Sequence, residues 1–360
     1  MAETTVSAST AAEVPQAQIW QKELCRQAQD EMWWTKWTGE GINNIIQLKK
    51  DFVKQKGDAI NFGLMTDLSQ AIHDDGWVEG NEEGMTTYYD SVVLDQMRNG
   101  VRLNGRLTEQ RASYSMRKEA QQSLSYWAVT QQETLIFKKF SGTTYQAYPG
   151  TASGTLGSLE TAFTAAVANT NIIYGGSATA TTEIEESDVF TLDKIVDAKT
   201  CAQTGVFGAD TKYRIRPIRY QGADHYVAVI HPYQKADLKK SADYKTMMRE
   251  AEVRGKENPL FSGADFYYDG VWIYSHRLVQ AATDWGADSN VSGATGLFLG
   301  AQAGLMAIAQ EGWDWVEEKF DYGNKWGVAS QRIFGFDKAM FNSIDFAVVA
   351  IKTAAKNPQL

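Results

Sequence analysis

The residues best suited to chemistry are carboxylates in residues 73–84, a segment without lysine or arginine. Two carboxylates held about 5–10 Å apart can hydrolyse a glycosidic bond, and Trp77 offers a ring that could stack on a sugar. The same turn-rich segment also suits a solvated loop tip whose charges prevent unwanted strand pairing, and we favour this interpretation. The acidic members are Asp74, Asp75, Glu79, Glu82 and Glu83.

Candidate metal ligands and catalytic motifs are sparse. His225 and His231 bracket a predicted strand, and their even spacing places both on one face. A metal pair is the weaker interpretation, and polar residues at the two strand ends are the favoured one. A second acidic cluster suggests a solvated loop, with a divalent cation as the weaker alternative: Glu183, Glu185, Glu186 and Asp188. No nucleotide-binding, zinc-protease or serine-hydrolase motif occurs, so we predict no enzyme, cofactor or metal.

The densest group of cations is a short basic strip formed by Arg214, Arg216 and Arg219. Strand alternation would place Arg214 and Arg216 on one face. The geometry of a guanidinium group suits both phosphates and carboxylates. We favour pairing with acidic groups of a neighbouring subunit over contact with phosphate.

Composition bounds the class of protein. The 360 residues are 43% hydrophobic and 22% charged, which is typical of globular proteins. The net charge of −9 argues against a reader of nucleic-acid sequence. No apolar stretch approaches the roughly 20 residues of a membrane helix, and no signal peptide is apparent, so we expect no membrane partner. The distant Cys25 and Cys201 are expected to be small buried hydrophobes in a reducing cytosol.

Aromatic residues are unusually abundant, with 11 Trp, 16 Tyr and 15 Phe, many in otherwise polar segments. Aromatic side chains are enriched at the centres of interfaces. The sequence therefore indicates either an aromatic core or large surfaces buried against partners.

The first half of the chain predicts an arm followed by a long helix. Apolar spacing predicts helices over 19–37 and 43–56, whereas alternation predicts strands over 59–64 and 86–103, with Asn99-Gly100 as a turn or bulge. Two strands separated by an irregular tip describe a β-hairpin that needs a neighbour to lie on. A helix of about 30 residues follows, with Thr108 as its N-cap and Ser141-Gly142 as its end.

The second half alternates strands and helices. Residues 141–182 suggest surface loop with a short helix at 159–167. Helices are predicted over 193–203 and 233–240, the latter opened by Pro232. The predicted strands are 213–218, 225–231, a hairpin at 266–274 with an Asp269-Gly270 turn, a buried strand followed by a helix within 295–310, and closing strands over 313–352.

Several stretches, in this order, resemble the major capsid proteins of tailed phages, and among them the group similar to that of phage N4. They are EGNEE at 79–83, DQMRNGVRLNGRLTEQRA at 95–112, ENPLFSGADFYYDGVWIYSHR at 257–277, LFLGAQAG at 297–304 and KFDYGNKWGVASQRIFGFDKAMF at 319–341. The resemblance extends from Trp20 to near the end of the chain, except for residues 143–182.

The resemblance implies an α+β, Hong Kong 97-type coat fold. Its parts are an N-terminal arm, an extended hairpin called the E-loop, a spine helix in a peripheral P-domain, and a mixed α/β A-domain. The corresponding boundaries are 1–57 for the arm, 58–106 for the E-loop, 107–205 for the spine helix and the Ser/Thr/Gly-rich insertion, 206–310 for A-domain and P-domain strands, and 311–360 for closing P-domain strands.

The implied function is a coat protein that assembles through hexamers and pentamers into an icosahedral shell around double-stranded DNA. Implied partners are further copies of the chain, cement or decoration, scaffolding and portal proteins, and non-specifically contacted DNA. The protein would reside in the virion capsid, and in the host cytoplasm before assembly. Some members of this fold join an E-loop lysine to an asparagine of a neighbour, but residues 58–106 contain no lysine.

Aromatic and cationic residues of the two arms are the expected contacts between subunits. The candidates in the E-loop are Phe62, Trp77, Tyr88, Tyr89, Arg98 and Arg102. Those in the N-terminal arm are Trp20, Trp33, Trp34 and Trp37, which would anchor that arm on the same or an adjacent subunit. Two rival functions remain: an encapsulin shell that encloses a cargo enzyme, and a carbohydrate-active enzyme that uses residues 79–83.

Overall fold

The computed structural model describes residues 32–50, 57–65, 82, 84, 87–112, 115–143, 167–208, 210–220, 222–246, 265–310 and 313–357. Twenty strands and four helices lie entirely within these ranges, and residues 242–246 are also helical. The helices are α1 (Gly105–Arg111), α2 (Met116–Phe140), α3 (Leu192–Thr204) and α4 (Pro232–Lys240). Short 3-10 helices occur at Trp33–Trp37, Thr181–Glu183 and Asp321–Gly323.

The strands follow in chain order, and the fold is α+β. Those of the first half are β1 (Thr38–Gly39), β2 (Ile46–Lys49), β3 (Ala59–Met65), β4 (Thr87–Val93), β5 (Asp95–Arg102), β6 (Ile172–Tyr174), β7 (Val206–Phe207), β8 (Asp210–Thr211), β9 (Ile218–Tyr220) and β10 (Ala223–Ile230). Those of the second half are β11 (Phe266–Tyr268), β12 (Val271–Ser275), β13 (Ala281–Trp285), β14 (Val291–Leu299), β15 (Gly304–Ile308), β16 (Asp314–Phe320), β17 (Lys325–Lys338), β18 (Met340–Phe341), β19 (Ile344–Asp345) and β20 (Val348–Ala354).

Two sheets carry most of the strands. The eight-stranded sheet has the order β11-β12-β10-β14-β20-β6, with β13 and β9 added at its margins. Its central strands are buried along most of their length, which suits their Val-, Ile- and Ala-rich composition. The six-stranded sheet has the order β1-β2-β15-β17-β16, and β5 also pairs with β17. A continuous apolar core joins both sheets with α2 and α3.

Helix α2 changes character along its 25 residues. Its first half buries one stripe, in which Met116, Ala120, Leu124 and Ala128 follow at steps of four. From Thr130 onward nearly every side chain is buried, so this half runs through the core. The helix ends at Phe140 with Ser141 as its C-cap, and Gly142 adopts a φ of 65° that glycine tolerates best.

Much of the sequence-based assignment is confirmed. Strands occur at 59–65, 87–93 and 95–102, helices at 192–204 and 232–240, and a hairpin at 266–275 whose turn residues Asp269 and Gly270 have positive φ. The closing region is built of strands, as predicted. The predicted helical residues 19–31 and most of 159–167 lie outside the described residues.

Two predicted helices are strands instead. Residues 46–49 of the expected helix 43–56 form β2, which pairs in parallel with β15. The helix expected within 295–310 is replaced by β15, which lies between β2 and β17. Glycine at position 304 allows β15 to pack closely against α2, because a Cβ on Gly304 would lie 2.8 Å from the Phe140 ring. Strand pairing with distant segments overrides the local helical spacing.

Smaller corrections concern element ends. The long helix is split, because Ala112 and Ser115 are extended between α1 and α2, and Thr108 lies inside α1 instead of capping it. Residues 213–217 are not a strand, whereas 172–174 is strand β6 instead of loop. Residues 99 and 100 continue β5 in unbroken register with β17, so they form neither turn nor bulge. Residues 33–37 form a 3-10 helix.

Candidate functional site

His225 lies within β10 and His231 directly follows that strand, and both side chains serve the fold. The His225 ring stacks on Trp272 with 4.4 Å between centroids. His231 caps α4 by accepting a hydrogen bond at Nδ1 from the Tyr233 amide, and burial lowers its pKa, which favours the neutral ring. His231 directly follows the last residue of β10, as the strand-end interpretation expected, whereas His225 is the third residue of the strand and pairs with Ile218. Within the described ranges, no three His, Cys, Asp or Glu side chains gather as a metal site.

The acidic segments differ in how far they are described. Among the carboxylates of 74–83 only Glu82 is described, and it is exposed, while Trp77 lies outside the described residues. In the second cluster, Glu183 is exposed and accepts hydrogen bonds from the Thr179 amide and hydroxyl, which lower its pKa. Asp188 accepts from the Glu185 amide. The interpretation as a solvated loop is confirmed.

The expected E-loop contains an antiparallel pair, β3 and β4, which we call the first hairpin. Ile60, Phe62 and Val92 form the root of this hairpin, by which we mean the part that is buried in the core of its own subunit. Each of these side chains is at most 4% exposed. The opposite face is open to solvent, and Tyr89 there is 75% exposed. Tyr88 packs partly against the core.

Phe62 and Tyr89 therefore have different surroundings, although sequence reasoning grouped them. Phe62 is enclosed by its own subunit, and the Lys49 Nζ lies 4.5 Å from its ring centroid. Tyr89 remains available to another molecule. On β5, Arg98 is exposed, whereas the Arg102 guanidinium lies 4.6 Å from the Phe320 ring centroid.

The tryptophans of residues 33–37 pack on their own subunit. Trp34 is fully buried, with its ring centroid 4.9 Å from Phe137 of α2, and Trp37 packs against Trp272 at 6.0 Å. The backbone amide of Trp33 donates to the buried Glu133 carboxylate. These contacts fasten the start of the described chain to the spine helix. Trp20 lies outside the described residues.

Sequence reasoning missed a cluster of buried charges at the end of β17. The Lys338 Nζ lies 2.7 Å from Asp345 Oδ1 and donates to Asn169 Oδ1 and the Ala168 carbonyl, at 2.8 and 3.0 Å. The two charged side chains are 1% and 0% exposed. Burial lowers the pKa of Lys338, and Asp345 opposes that shift. The sequence around Lys338 carries no signal of its distant partners Asp345 and Asn169.

The basic strip is an exposed surface. Arg214 and Arg216 are exposed on either side of the buried Ile215, and Arg219 Nε pairs with Asp224 Oδ1 at 3.3 Å. Cys201 is half-buried, not buried as expected, and burial raises the pKa of its thiol. Cys25 lies outside the described residues. Among the described helices, none has the length and apolarity to span a bilayer.

These features describe a coat subunit: an exposed arm on a buried root, a spine helix through the core, and aromatic contacts. The comparisons agree. The family model for phage capsid protein matches residues 4–357. The major capsid protein of Pseudomonas phage KPP25 is 32% identical over 372 residues, covering 94% of this chain and 95% of that protein.

Solved structures show the same fold. The capsid of Ralstonia phage GP4 is 30% identical with a TM-score of 0.79, covering 91% of this chain and 92% of that one. The cyanophage Pam1 capsid is 22% identical with a TM-score of 0.71, covering 91% and 93%.

The chain belongs to the phage capsid protein family. It has the Hong Kong 97-type coat fold and is a major capsid protein, located in the virion capsid, where copies of it form the icosahedral shell. It is a structural protein and not an enzyme, which removes the carbohydrate-active alternative, and membership of a phage family favours a phage coat over an encapsulin.

Proposed function

We propose that the chain assembles through hexamers and pentamers into a shell around double-stranded DNA, after a soluble stage in the host cytoplasm. The feature that carries the proposal is the first hairpin. Strands β3 and β4 pair with each other and with no other described strand. Ile60, Phe62 and Val92 hold one face of this pair on its own core, while the opposite face, on which Tyr89 is 75% exposed, is open to a neighbouring subunit.

The contacts between subunits follow from exposure. Tyr89 and Arg98 are exposed on the arm, and we assign them to the neighbouring subunit. Phe62, Trp33, Trp34 and Trp37 support these contacts indirectly, because they hold each arm on its own body. Trp20, Trp77, Tyr88 and Arg102 stay contact predictions. The five-part domain division likewise stays a prediction.

Other partners follow from charge. The net charge of −9 disfavours tight binding of DNA to the wall, so contact with packaged DNA is non-specific and weak. The exposed Arg214 and Arg216 suit carboxylates of a neighbouring copy. Since residues 58–106 contain no lysine for a crosslink, the shell depends on many non-covalent contacts, to which cement, scaffolding and portal proteins add.

Electron microscopy of the expressed chain tests the proposal. We expect rings of five and six subunits and closed shells. Tyr89→Ala removes an exposed ring and should reduce the yield of shells, while Ser91→Ala, on the same exposed face, should not. A chain that stays monomeric at high concentration contradicts the proposal.

A further inference from the structure

A second exposed arm is formed by β16, β17 and the turn between them, which we call the second hairpin. Strand β16 lies at the edge of the six-stranded sheet. Its described side chains are mostly exposed, and Val316 is among the large apolar ones. The turn carries Tyr322, whose side chain is fully exposed.

The backbone of this turn is unusual for its sequence. Asp321, Tyr322 and Gly323 have φ of 52°, 50° and 83°, so three consecutive residues lie in the left-handed region. Glycine adopts this region freely, whereas a tyrosine does so against its steric preference. Local physics would place a glycine or an asparagine at 322. Strained residues of this kind persist where the surrounding structure enforces them, often at functional positions.

The surrounding structure does enforce this conformation. The Asn324 amide donates to the Asp321 carbonyl at 2.9 Å, and its side chain donates to Asp321 Oδ2 at 3.3 Å. The Arg106 amide donates to Asn324 Oδ1 at 3.3 Å, which ties the turn to the start of α1. On the flanking strands, the Lys319 Nζ lies 4.5 Å from the Trp326 ring centroid. The turn therefore presents Tyr322 from a fixed position.

A tyrosine presented in this way has the properties of an interface anchor. Its ring supplies a large apolar area with little conformational entropy to lose, and its hydroxyl finds a hydrogen-bond partner when buried. Tyrosine is also enriched among the residues that dominate binding energy. Since the ring is fully exposed, its own subunit gains little from it.

We propose that Tyr322 is an assembly anchor, which inserts its ring into a recess on a second copy of this chain. The partner is a second copy because the chain is a coat protein that assembles with itself. Strand β17 is also hydrogen-bonded to β5, which continues from the first hairpin, so both exposed arms leave the same sheet. The inference rests on the proposed shell assembly and adds a contact site to it.

Photo-crosslinking tests the partner directly. The photoreactive residue p-benzoylphenylalanine replaces Tyr322 in the full chain, and assembled shells and dilute unassembled subunits are irradiated separately. We expect a covalent dimer of the coat chain in shells and none in dilute subunits. Absence of the dimer from shells, or attachment to a different protein, overturns the inference.

Substitutions at Tyr322 separate its role in contact between subunits from any role in folding of the subunit. Tyr322→Gly should leave the thermal midpoint of the subunit unchanged or higher, because glycine relieves the backbone strain. The same variant, and Tyr322→Ala, should lower the yield of closed shells about tenfold or more, as the loss of an anchor residue predicts. Tyr322→Phe keeps the ring and should retain most of the yield.

The outcomes distinguish this inference from the proposed function. Normal shells from Tyr322→Gly and Tyr322→Ala overturn the anchor role but leave shell assembly intact. Failure of the wild-type chain to form shells contradicts the proposed function itself. Loss of shells from the variants alone supports both.

Discussion

The two hairpins are both exposed arms, but they are anchored by opposite chemistry. The root of the first hairpin is apolar, with Ile60 and Phe62 in the core. The root of the second is charged, because β17 ends at Lys338 inside a buried ion pair with Asp345. Their free ends differ too, since the second hairpin ends in a fixed turn that presents Tyr322.

This difference in chemistry determines how the stability of each root responds to substitution. Burial of apolar surface stabilises by about 25 cal/mol per Å², and each deleted methylene subtracts its own share. A buried ion pair stabilises only while both partners are present, because either charge alone keeps its full desolvation cost. The apolar root should therefore respond gradually to substitution, and the charged root abruptly.

The largest effect is expected from breaking the charged root. Asp345→Ala leaves the Lys338 ammonium buried without its carboxylate, and should lower the free energy of unfolding by roughly 3–5 kcal/mol. Urea denaturation of the subunit measures this change. The double variant Lys338→Met with Asp345→Ala removes both charges and should recover part of the loss, although the Thr170 amide still lacks its Asp345 Oδ2 acceptor. Equal losses in the single and double variants would show that the pair has no special role.

A smaller effect is expected at the apolar root. Ile60 lies opposite Val92 in the β3–β4 register, and both are buried. Ile60→Val deletes one methylene and should cost about 1 kcal/mol. The matched control is Val93→Ala on the exposed face of the same hairpin, for which a change within about 0.5 kcal/mol is expected. Similar costs at the two positions in urea denaturation would contradict the asymmetry between the two faces.

The smallest effect concerns the place where the two roots meet. Asp90 of β4 accepts a hydrogen bond from the Met340 amide at 3.0 Å, just beyond the end of β17. Burial raises the pKa of Asp90, and the nearby Asp337 carboxylate adds to the increase. The folded state therefore binds the proton more tightly than the unfolded chain does. Ionisation of Asp90 should then lower the free energy of unfolding as pH rises above the unfolded value of about 4.

Asp90→Asn isolates this contribution, because an amide keeps an oxygen acceptor for Met340 but does not titrate there. The variant should lose less stability than wild type as pH rises above the unfolded value of about 4. Urea denaturation at a series of pH values above that point, with Asp58→Asn on the exposed neighbouring segment as a control, measures the slopes. Parallel slopes for Asp90→Asn and wild type would exclude Asp90 as the titrating group.

The first hairpin was predictable because the residues that define its strands are neighbours in the sequence. Alternation at 59–64 marks a strand with one buried face, and the structure buries those alternate residues. Pro232 and Asp269-Gly270 mark α4 and the β11–β12 turn in the same local way. The aromatic cluster at 33–37 was recognisable as an anchor, but its contact with Glu133 spans a hundred residues and has no sequence marker.

The second hairpin was predictable only as strands. Its charged root joins residues 338, 345 and 169, which no local pattern connects. Its turn contradicts local preference, because a tyrosine occupies a left-handed position. The helix predicted around Gly304 was wrong for another reason. Small apolar residues suit a buried helix and a buried strand equally, and only the pairing of this segment with β2 and β17 distinguishes the two.

Strand β17 has a mechanical consequence for a closed shell. Its 14 residues are hydrogen-bonded to β5, β15 and β16, so the strand that follows the first hairpin and the edge strand of the second hairpin both pair with one backbone. Tension along β5 or β16 loads these ladders in shear, with many hydrogen bonds resisting together, instead of peeling them apart one by one. A mechanical load at one interface between subunits of the shell can therefore be transmitted through β17 to the next interface.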